Sequence, residues 1–354
     1  MQFKIDWNNN TVQNIKENNL RREIKIQILV SPEEILKNLR IGTYIPIKSD
    51  FKKYILNDLN YFNTKSILIY ENNHAIAHVL LFSSDKDTLY FGFFRVISHK
   101  KDTIEFLVDI IIQYSLEYSF KTINGPINIP TIIYGWGFME EGSSDDIFIG
   151  KPINPSIYNK VFLEKGFKIY SKFFTWEGKT QEVIENIPNN FELNDYEIFH
   201  PKDLNHILEI KDDFLILNMR NMDSRSIITP DAHILFENYL DFIVKYGGLW
   251  MVCFIKYKNT DKIIGYMNGV PNPFHKDKNG YYDSFCYYSV VIDKEHQNKG
   301  VFWKVSKYIL KEAKKHHITY FTCPIQIERK ITIHSVKKVG MKLNRRHIVF
   351  KLEI

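Results

Sequence analysis

A polar turn at residues 293–300 connects an apolar, strand-like run to a long helical pattern. The run ends in Val291 and Ile292, and within the turn Gln297 lies three residues before Gly300. Backbone N–H groups at the start of a helix are unpaired, and the helix dipole adds a partial positive charge there. A glycine also lets the backbone approach an anion without a Cβ in the way. This order of elements predicts a binding site for a phosphate or pyrophosphate.

Side chains of the same turn can assist such binding. Lys299 can compensate negative charge, and Gln297 can form hydrogen bonds without bringing a fixed charge. The candidate binding residues are Val291, Ile292, Gln297, Asn298, Lys299, Gly300, Val301 and Phe302. The alternative interpretation is an ordinary strand-to-helix turn with polar residues on the surface, and the residues alone leave both open.

The composition indicates a folded protein with more than one core. The chain has 354 residues, of which 44% are hydrophobic and 15% aromatic, so we expect two domains rather than a disordered chain. The net charge of +6 comes from scattered lysines, which fit a solvated surface or attraction of an anionic ligand or carrier. No dense basic patch suggests a nucleic-acid partner, and no apolar run is long enough to span a membrane.

The three cysteines indicate small core residues rather than a metal or disulfide site. Cys253, Cys286 and Cys323 form no CxxC pair and have no histidine at metal-ligand spacing. The N-terminal residues are too polar for a signal peptide. These features predict a cytoplasmic protein without a bound metal.

The pattern of elements is repeated along the chain. Strand-like runs and amphipathic helices give βββαβαβ in each half after leading helices, and residues 1–60 show only broken helical patterns. The polar stretch at 177–190 is interpreted as a linker. We therefore predict an α/β protein with mixed sheets and two domains, at residues 1–178 and 190–354.

Residues 290–302 resemble motif A of the GNAT acyltransferase superfamily. That motif is an apolar strand, then Gln or Arg, two residues, Gly, one residue, and Gly or Ala. Gln297 and Gly300 match the motif, whereas Phe302 replaces the last small residue and narrows the space beside the phosphate site.

The whole chain resembles the tandem-GNAT proteins of bacteria and archaea. The residues that carry the likeness are Gly92-Phe93-Phe94, Gly125–Asn128, Asn154–Tyr158 and Gly265–Pro271. The resemblance implies two tandem GNAT-like domains, each a mostly antiparallel mixed sheet flanked by helices. It also implies direct acyl transfer from acetyl-CoA, another acyl-CoA or an acyl-carrier phosphopantetheine to a small-molecule or peptide amine.

Direct transfer needs a base that takes a proton from the amine, and Asp283 is our candidate. In a strand at 281–292, alternation would place Asp283, Phe285, Tyr287 and Ser289 on one face. Tyr287 is a second catalytic candidate. The alternatives are a solvent-exposed aspartate at a strand end and a tyrosine in the core.

The last helix of GNAT proteins usually supplies an Asn to the donor and a Tyr to the departing thiolate. Arg329 and Val336 occupy the matching positions here, so neither expected residue is present. His334 is a candidate substitute in catalysis. Arg329 is a candidate for binding the 3′-phosphate of CoA or an acidic carrier protein.

The first half lacks a donor motif. Its central strand is followed by residues 96–102, which contain no Gln/Arg-x-x-Gly. We expect this half to support the fold and to contribute to an acceptor site between the halves. The leading hypothesis is an N-acyltransferase, and the alternative is an inactive tandem-GNAT scaffold that binds a CoA-like ligand or a protein partner. A Fem-type aminoacyl transferase would need a coiled-coil arm, which is absent from the sequence.

Overall fold

The computed structural model describes residues 24–142, 146–188, 193–221, 230–231, 233–326 and 329–354. Contacts between residues divide the chain into two compact units. Among the described residues, unit 1 contains 24–142, 150–172 and 347–354, and unit 2 contains 146–149 and the part of 173–346 that is described.

Unit 1 is built around a mixed sheet. Its strands are β1 (Ile24–Leu29), β2 (Asn63–Glu71), β3 (His74–Ser83), β4 (Thr88–Val96), β5 (Thr122–Gly125), β6 (Phe138–Gly142) and the first residues of β7 (Lys168–Lys179). Its helices are α1 (Pro32–Asn38), α2 (Lys52–Tyr61), α3 (Lys101–Glu117), α4 (Thr131–Tyr134) and α5 (Ile157–Glu164). The last strand of the chain, β13 (Lys342–Glu353), completes this sheet beside β5.

The core of unit 1 lies under helix α3. Ile104, Leu107, Val108 and Ile111 repeat at helical spacing and are fully buried against the sheet. The amphipathic pattern of the sequence predicts a helix near residues 102–118, and the structure has it with a shift of one residue at each end.

Strand β1 corrects the prediction of broken helical patterns before residue 60. Ile26 and Ile28 are buried, and the strand pairs antiparallel with β2 from Ile24–Glu71 to Leu29–Ser66. Isoleucines at every second position favour a strand, and the available partner on β2 overrides the weak helical signal around them.

Unit 2 repeats this plan with both parallel and antiparallel strand pairs. Its strands are β8 (Tyr196–Phe199), β9 (Val252–Tyr257), β10 (Lys262–Pro271), β11 (Ser284–Ile292), β12 (Tyr320–Gln326), the later residues of β7 and the first residues of β13. Its helices are α6 (Thr180–Asn186), α7 (Leu204–Glu209), α8 (Lys211–Asn221), α9 (Phe236–Gly247), α10 (Val301–Lys315) and α11 (Lys330–Lys338). The strand order is β7-β12-β11-β10-β9-β8. The predicted α/β class with mixed sheets flanked by helices is confirmed.

The units share two strands of the chain. Residues 168–172 of β7 belong to unit 1 and residues 173–179 to unit 2, while β13 passes from unit 2 to unit 1 after residue 346. The predicted linker at 177–190 is wrong for its first part, because residues 177–179 end β7 and pair with β12, and α6 follows at once. The division into domains at 1–178 and 190–354 stays a prediction.

The described residues contain no helix that is both long and apolar enough to cross a membrane. They also contain no cluster of three or more His, Cys, Asp or Glu side chains placed to hold a metal ion.

His78 is a buried histidine held in one neutral form. Its Nδ1 lies 2.8 Å from the carbonyl oxygen of Phe93, and its Nε2 lies 2.7 Å from Oγ of Ser66. A carbonyl only accepts, so Nδ1 carries the proton and Nε2 accepts from the hydroxyl. Burial lowers the pKa of His78 to about 4, although the bond to Phe93 acts in the opposite direction.

We expect His78 to make the protein less stable in mild acid. The unfolded chain binds a proton near pH 6.5 and the folded protein only near pH 4, so stability is fully present above pH 6.5 and falls as the pH drops towards 4. The loss is on the order of 3 kcal/mol. Urea denaturation of wild type and His78→Gln at pH 7.5, 5.5 and 4.5 measures it. An equal pH dependence in the two proteins would contradict the assignment.

Candidate functional site

Two neighbouring parallel strands of unit 2 pair over only part of their length. The register joins Ser284 to Tyr320, Phe285 to Phe321 and Cys286 to Thr322. Beyond these pairs β11 continues to Ile292 and β12 to Gln326. Within the part of the chain that the structure describes, no strand pairs with this edge of β11 after Cys286. Backbone N–H and C=O groups along such an edge need other partners.

A β-bulge lies at the point where the strands part. Asn268 and Gly269 are adjacent in β10 but pair with Ser289 and Tyr287, so β11 carries one extra residue, Tyr288. A bulge changes the direction of the strand and of its exposed backbone groups. Sequence periodicity did not reveal this bulge, because the run of aromatic and β-branched residues is continuous through it.

The bulge corrects the predicted alternation along β11. Tyr287 and Ser289 face opposite sides of the sheet, and the Ser289 hydroxyl lies 2.8 Å from the Tyr266 hydroxyl. Tyr287 is buried between the rings of Phe285 and Phe321. Burial raises its pKa well above the usual range. This placement is typical of a core residue, and the catalytic role of Tyr287 stays a prediction.

The loop after β11 has the conformation of an anion site. Asn298 (φ 60°) and Gly300 (φ 86°) both adopt the left-handed region, and α10 begins directly afterwards at Val301. Left-handed residues next to extended or helical ones turn successive N–H groups towards one side. Among the described residues no side chain caps the first turn of α10. The N–H of Trp303 donates to the carbonyl oxygen of Gly300, which leaves the N–H groups of Val301 and Phe302 at the helix start for a ligand.

Gln297 holds this loop in place. Its Nε2 donates to the carbonyl oxygen of Ile292 at 2.8 Å, which ties the turn to the end of β11. The side chains of Val291 and Ile292 are buried, so only their backbone can face a ligand. Lys299 is exposed, and Phe302 is half-buried with its ring 4.8 Å from that of Trp303.

The predicted residues of the last helix lie apart from this loop in sequence. Arg329 is exposed immediately before α11, and its backbone N–H donates to Gln326. His334 is exposed on α11, whereas Val336 is buried on the same helix. Among the described residues no hydrogen bond, ion pair or ring contact joins Arg329 or His334 to the loop, and their roles stay predictions.

Asp283 lies immediately before β11 rather than within it. The predicted strand began at residue 281, but the observed strand begins at Ser284. The carbonyl oxygen of Asp283 accepts from the backbone N–H of Thr319 at 2.8 Å, which fixes the residue beside the start of β12. Its carboxylate lies 3.7 Å from Nδ1 of His275, a residue that no sequence motif singles out.

In unit 1 the corresponding strand edge, that of β4, is hydrogen-bonded by side chains of the protein itself. Strands β4 and β5 are parallel and pair only from Thr88–Thr122 to Tyr90–Asn124. Beyond that, Asn128 Oδ1 accepts from the N–H of Phe93 at 2.6 Å, and the Tyr158 hydroxyl accepts from the N–H of Val96 at 2.9 Å. These bonds occupy backbone groups of β4 that a bound donor would otherwise use.

The later half of the chain matches a known family in sequence. Residues 216–341 match the Acetyltransferase (GNAT) family. These residues form a GNAT domain. They include the bulged strand, the loop at 293–300 and helix α10.

Solved structures with the same fold span nearly the whole chain. A tandem GNAT protein from the clavulanic acid biosynthesis pathway is 10% identical, with 94% of this chain and 98% of that chain aligned at a TM-score of 0.61. A GCN5-related N-acetyltransferase from Sphaerobacter thermophilus is 10% identical, with 93% and 95% aligned at a TM-score of 0.56. At such identities the likeness establishes the fold, and the predicted tandem GNAT architecture is confirmed.

A third structure shows the same fold inside a larger protein. The glucosamine N-acetyltransferase region of a fungal multi-domain β-N-acetylglucosaminidase is 12% identical, at a TM-score of 0.62. The alignment covers 96% of this chain and 39% of that one. Among curated proteins, none matches this chain in sequence.

Substitutions of two buried tyrosines of unit 1 test whether hydrogen bonds from side chains to β4 stabilise the protein. Tyr158→Phe removes a hydroxyl bonded to β4, so we expect a loss of about 1–3 kcal/mol in the free energy of unfolding. Tyr134→Phe is the matched control, since its buried hydroxyl has no partner among the described residues. Urea denaturation should show no loss for the control. Equal losses in both variants would contradict this account of β4.

Proposed function

We propose that the chain is an N-acyltransferase that moves an acetyl or longer acyl group from CoA or an acyl-carrier thioester to an amine. The observation that supports this most is the open edge of β11 beside the loop at 293–300. A thioester donor of this kind has an anionic end and a thin arm that contains amides. The loop suits the anionic end, and the strand edge suits the amides.

The distances along β11 suit this arrangement. From Cys286, where the pairing with β12 ends, to Ile292, where the loop begins, the strand advances about 20 Å. An extended pantetheine arm can cover this span. Beyond Cys286 and Thr322 the two strands part, and we call the opening between them the wedge; its closed end is where the pairing stops. The thioester would then lie near this closed end, beside the bulge at Tyr288.

Unit 2 is therefore proposed as the donor domain, and unit 1 as a GNAT-like domain without a donor. The N–H groups of Phe93 and Val96 already have side-chain partners. The segment that follows β4 also begins α3 at Lys101 without a glycine in the turn. Cytoplasmic location and a carrier protein as donor stay predictions.

The second candidate function is a scaffold that binds a CoA-like ligand without turnover. Two placements favour it: Val336 is buried where a thiolate partner is expected, and Tyr287 is enclosed in the core. The Val336 side chain has no acidic proton to give to a departing thiolate, and the Tyr287 hydroxyl is buried without a hydrogen-bond partner among the described residues. In the enzyme, water would then supply that proton.

Titration calorimetry with acetyl-CoA and longer acyl-CoAs, followed by a free-thiol assay with a panel of amines, separates the two functions. We expect one donor bound per chain and thiol release that depends on the amine. Binding without thiol release would identify the scaffold. If neither CoA thioesters nor an acyl-carrier protein bound, both proposals would be overturned.

Gly300→Ala tests the loop as the donor site. A left-handed residue with a Cβ costs about 1–2 kcal/mol, so the loop should lose this conformation and the donor Kd should rise about tenfold. Gly166→Ala in unit 1 is the matched control, because Gly166 has nearly the same φ of 89°. Calorimetry with acetyl-CoA should show an unchanged Kd for the control. A similar loss of affinity in both variants would indicate an effect of stability alone.

A further inference from the structure

A second group of polar residues lies in unit 2 at the closed end of the wedge, away from the loop. It contains three carboxylates, a histidine and a tyrosine that come from five segments of the chain. They are Asp146, Glu177, His275, Asp283 and Tyr320. We refer to these five residues as the acidic cluster.

His275 stands between two carboxylates of this cluster. Its Nδ1 lies 3.7 Å from Oδ2 of Asp283, and its Nε2 lies 3.8 Å from Oδ1 of Asp146. These distances are too long for hydrogen bonds, yet they are short enough for both carboxylates to attract the imidazole once it has accepted a proton. The ring stacks parallel to Phe148, which limits its movement. The carboxylates and the imidazole are thus close together without satisfying one another.

Buried polar atoms without partners point to a missing ligand at the same place. Oδ1 of Asp283 is buried and has no hydrogen-bond partner among the described residues. The hydroxyls of Ser284 and Thr322 also lack a hydrogen-bond partner among the described residues, and both residues are more than nine-tenths buried. A buried carboxylate oxygen without a donor is costly, so the site favours a ligand that carries N–H groups.

The sheet register places these hydroxyls beside the cluster. Thr322 pairs directly with Glu177 across β12 and β7, and Ser284 pairs with Tyr320 across β11 and β12. Residues paired in this way project from the same face of a sheet. Thr322 also belongs to the last pair before β11 and β12 part, so the cluster adjoins the closed end of the wedge.

The charges of the cluster favour a cation. The cluster has three carboxylates, and a positive charge near them is that of Arg345. This side chain donates to the backbone oxygen of Asp146, and its Cζ lies 5.9 Å from the centre of the Phe148 ring. The Lys276 ammonium lies over the Tyr282 ring. Glu177 accepts from the Tyr320 hydroxyl and from Asn344, while within the described ranges the carboxylates of Asp146 and Asp283 lack such donors. Their side chains are 55% and 32% exposed, so a ligand can reach them from solvent.

We infer that the acidic cluster binds a cationic amine acceptor, and that His275 takes the proton from its reacting ammonium group. This inference rests on the proposed acyl transfer. The amine nitrogen forms a bond to the thioester carbonyl carbon, and the carbon–sulfur bond breaks. Of the three ammonium protons, one stays on the amide and His275 receives another. The last goes to water when the amide forms, and the thiolate takes a proton from water.

Binding of three amines tests the charge preference without any need for turnover. The probes are 1,4-diaminobutane, 4-aminobutan-1-ol and 4-aminobutanoate, which share a chain length and an amine but end in a cation, a neutral group and an anion. Saturation-transfer NMR with the full chain should rank the diamine first and 4-aminobutanoate last. Equal binding of all three probes, or tightest binding of 4-aminobutanoate, would overturn the inference.

Variants that replace one carboxylate by a neutral amide test where the amine binds. Asp146→Asn and Asp283→Asn should each weaken diamine binding about tenfold. Asp261→Asn is the control, since it removes the same charge from an exposed carboxylate of unit 2 that pairs with Lys256. Equal weakening in the control would show a general charge effect and would overturn the assignment. The acetyl-CoA Kd should stay the same in all three variants.

Turnover tests the role of His275. His275→Ala should lower kcat by about 10²- to 10⁴-fold with little change in KM, and added imidazole should restore part of it. His317→Ala is the control, because His317 also stacks on an aromatic ring of unit 2. Unchanged kcat in His275→Ala would overturn the base assignment. Diamine binding without thiol release in wild type would instead overturn the proposed acyl transfer.

Discussion

The parallel pair of β11 and β12 joins only three residues on each strand before the strands part. A sheet normally satisfies its backbone groups by continued pairing, so this opening leaves polar groups that need a ligand. The other parts of the candidate site are arranged around it. The loop with Asn298 and Gly300 lies at its open end, and the acidic cluster lies at its closed end. A donor and an acceptor would therefore approach the bulge from opposite sides.

The two units show how one architecture can keep or lose such an opening. Both contain a short parallel pair whose first strand, β4 or β11, carries a bulge. In unit 1, Asn128 and Tyr158 supply the hydrogen bonds that the end of β4 requires. In unit 2, that edge of β11 has no pairing strand after Cys286 among the described residues. The difference lies in a few polar side chains rather than in the fold.

Hydrophobic periodicity predicted much of the fold, including α3, α10 and the central strands of each unit. It did not predict β1, because a short alternating run is ambiguous until a neighbouring strand pairs with it. The bulge at Tyr288 was missed because one inserted residue leaves the composition of the strand unchanged. His275 was missed because it lies in a loop and because Asp146, one of its two carboxylate neighbours in space, is distant in sequence.

The sequence by itself determined the loop at 293–300, since a glycine, a glutamine and a helix start within a few residues act through local backbone geometry. It also determined the repeated order of strands and helices. The tertiary structure decided where the strands part, which tyrosine enters the core, and which carboxylates meet His275. It also decided that β7 and β13 each contribute to both units. These features depend on strand register and on contacts between remote segments, which a linear pattern does not contain.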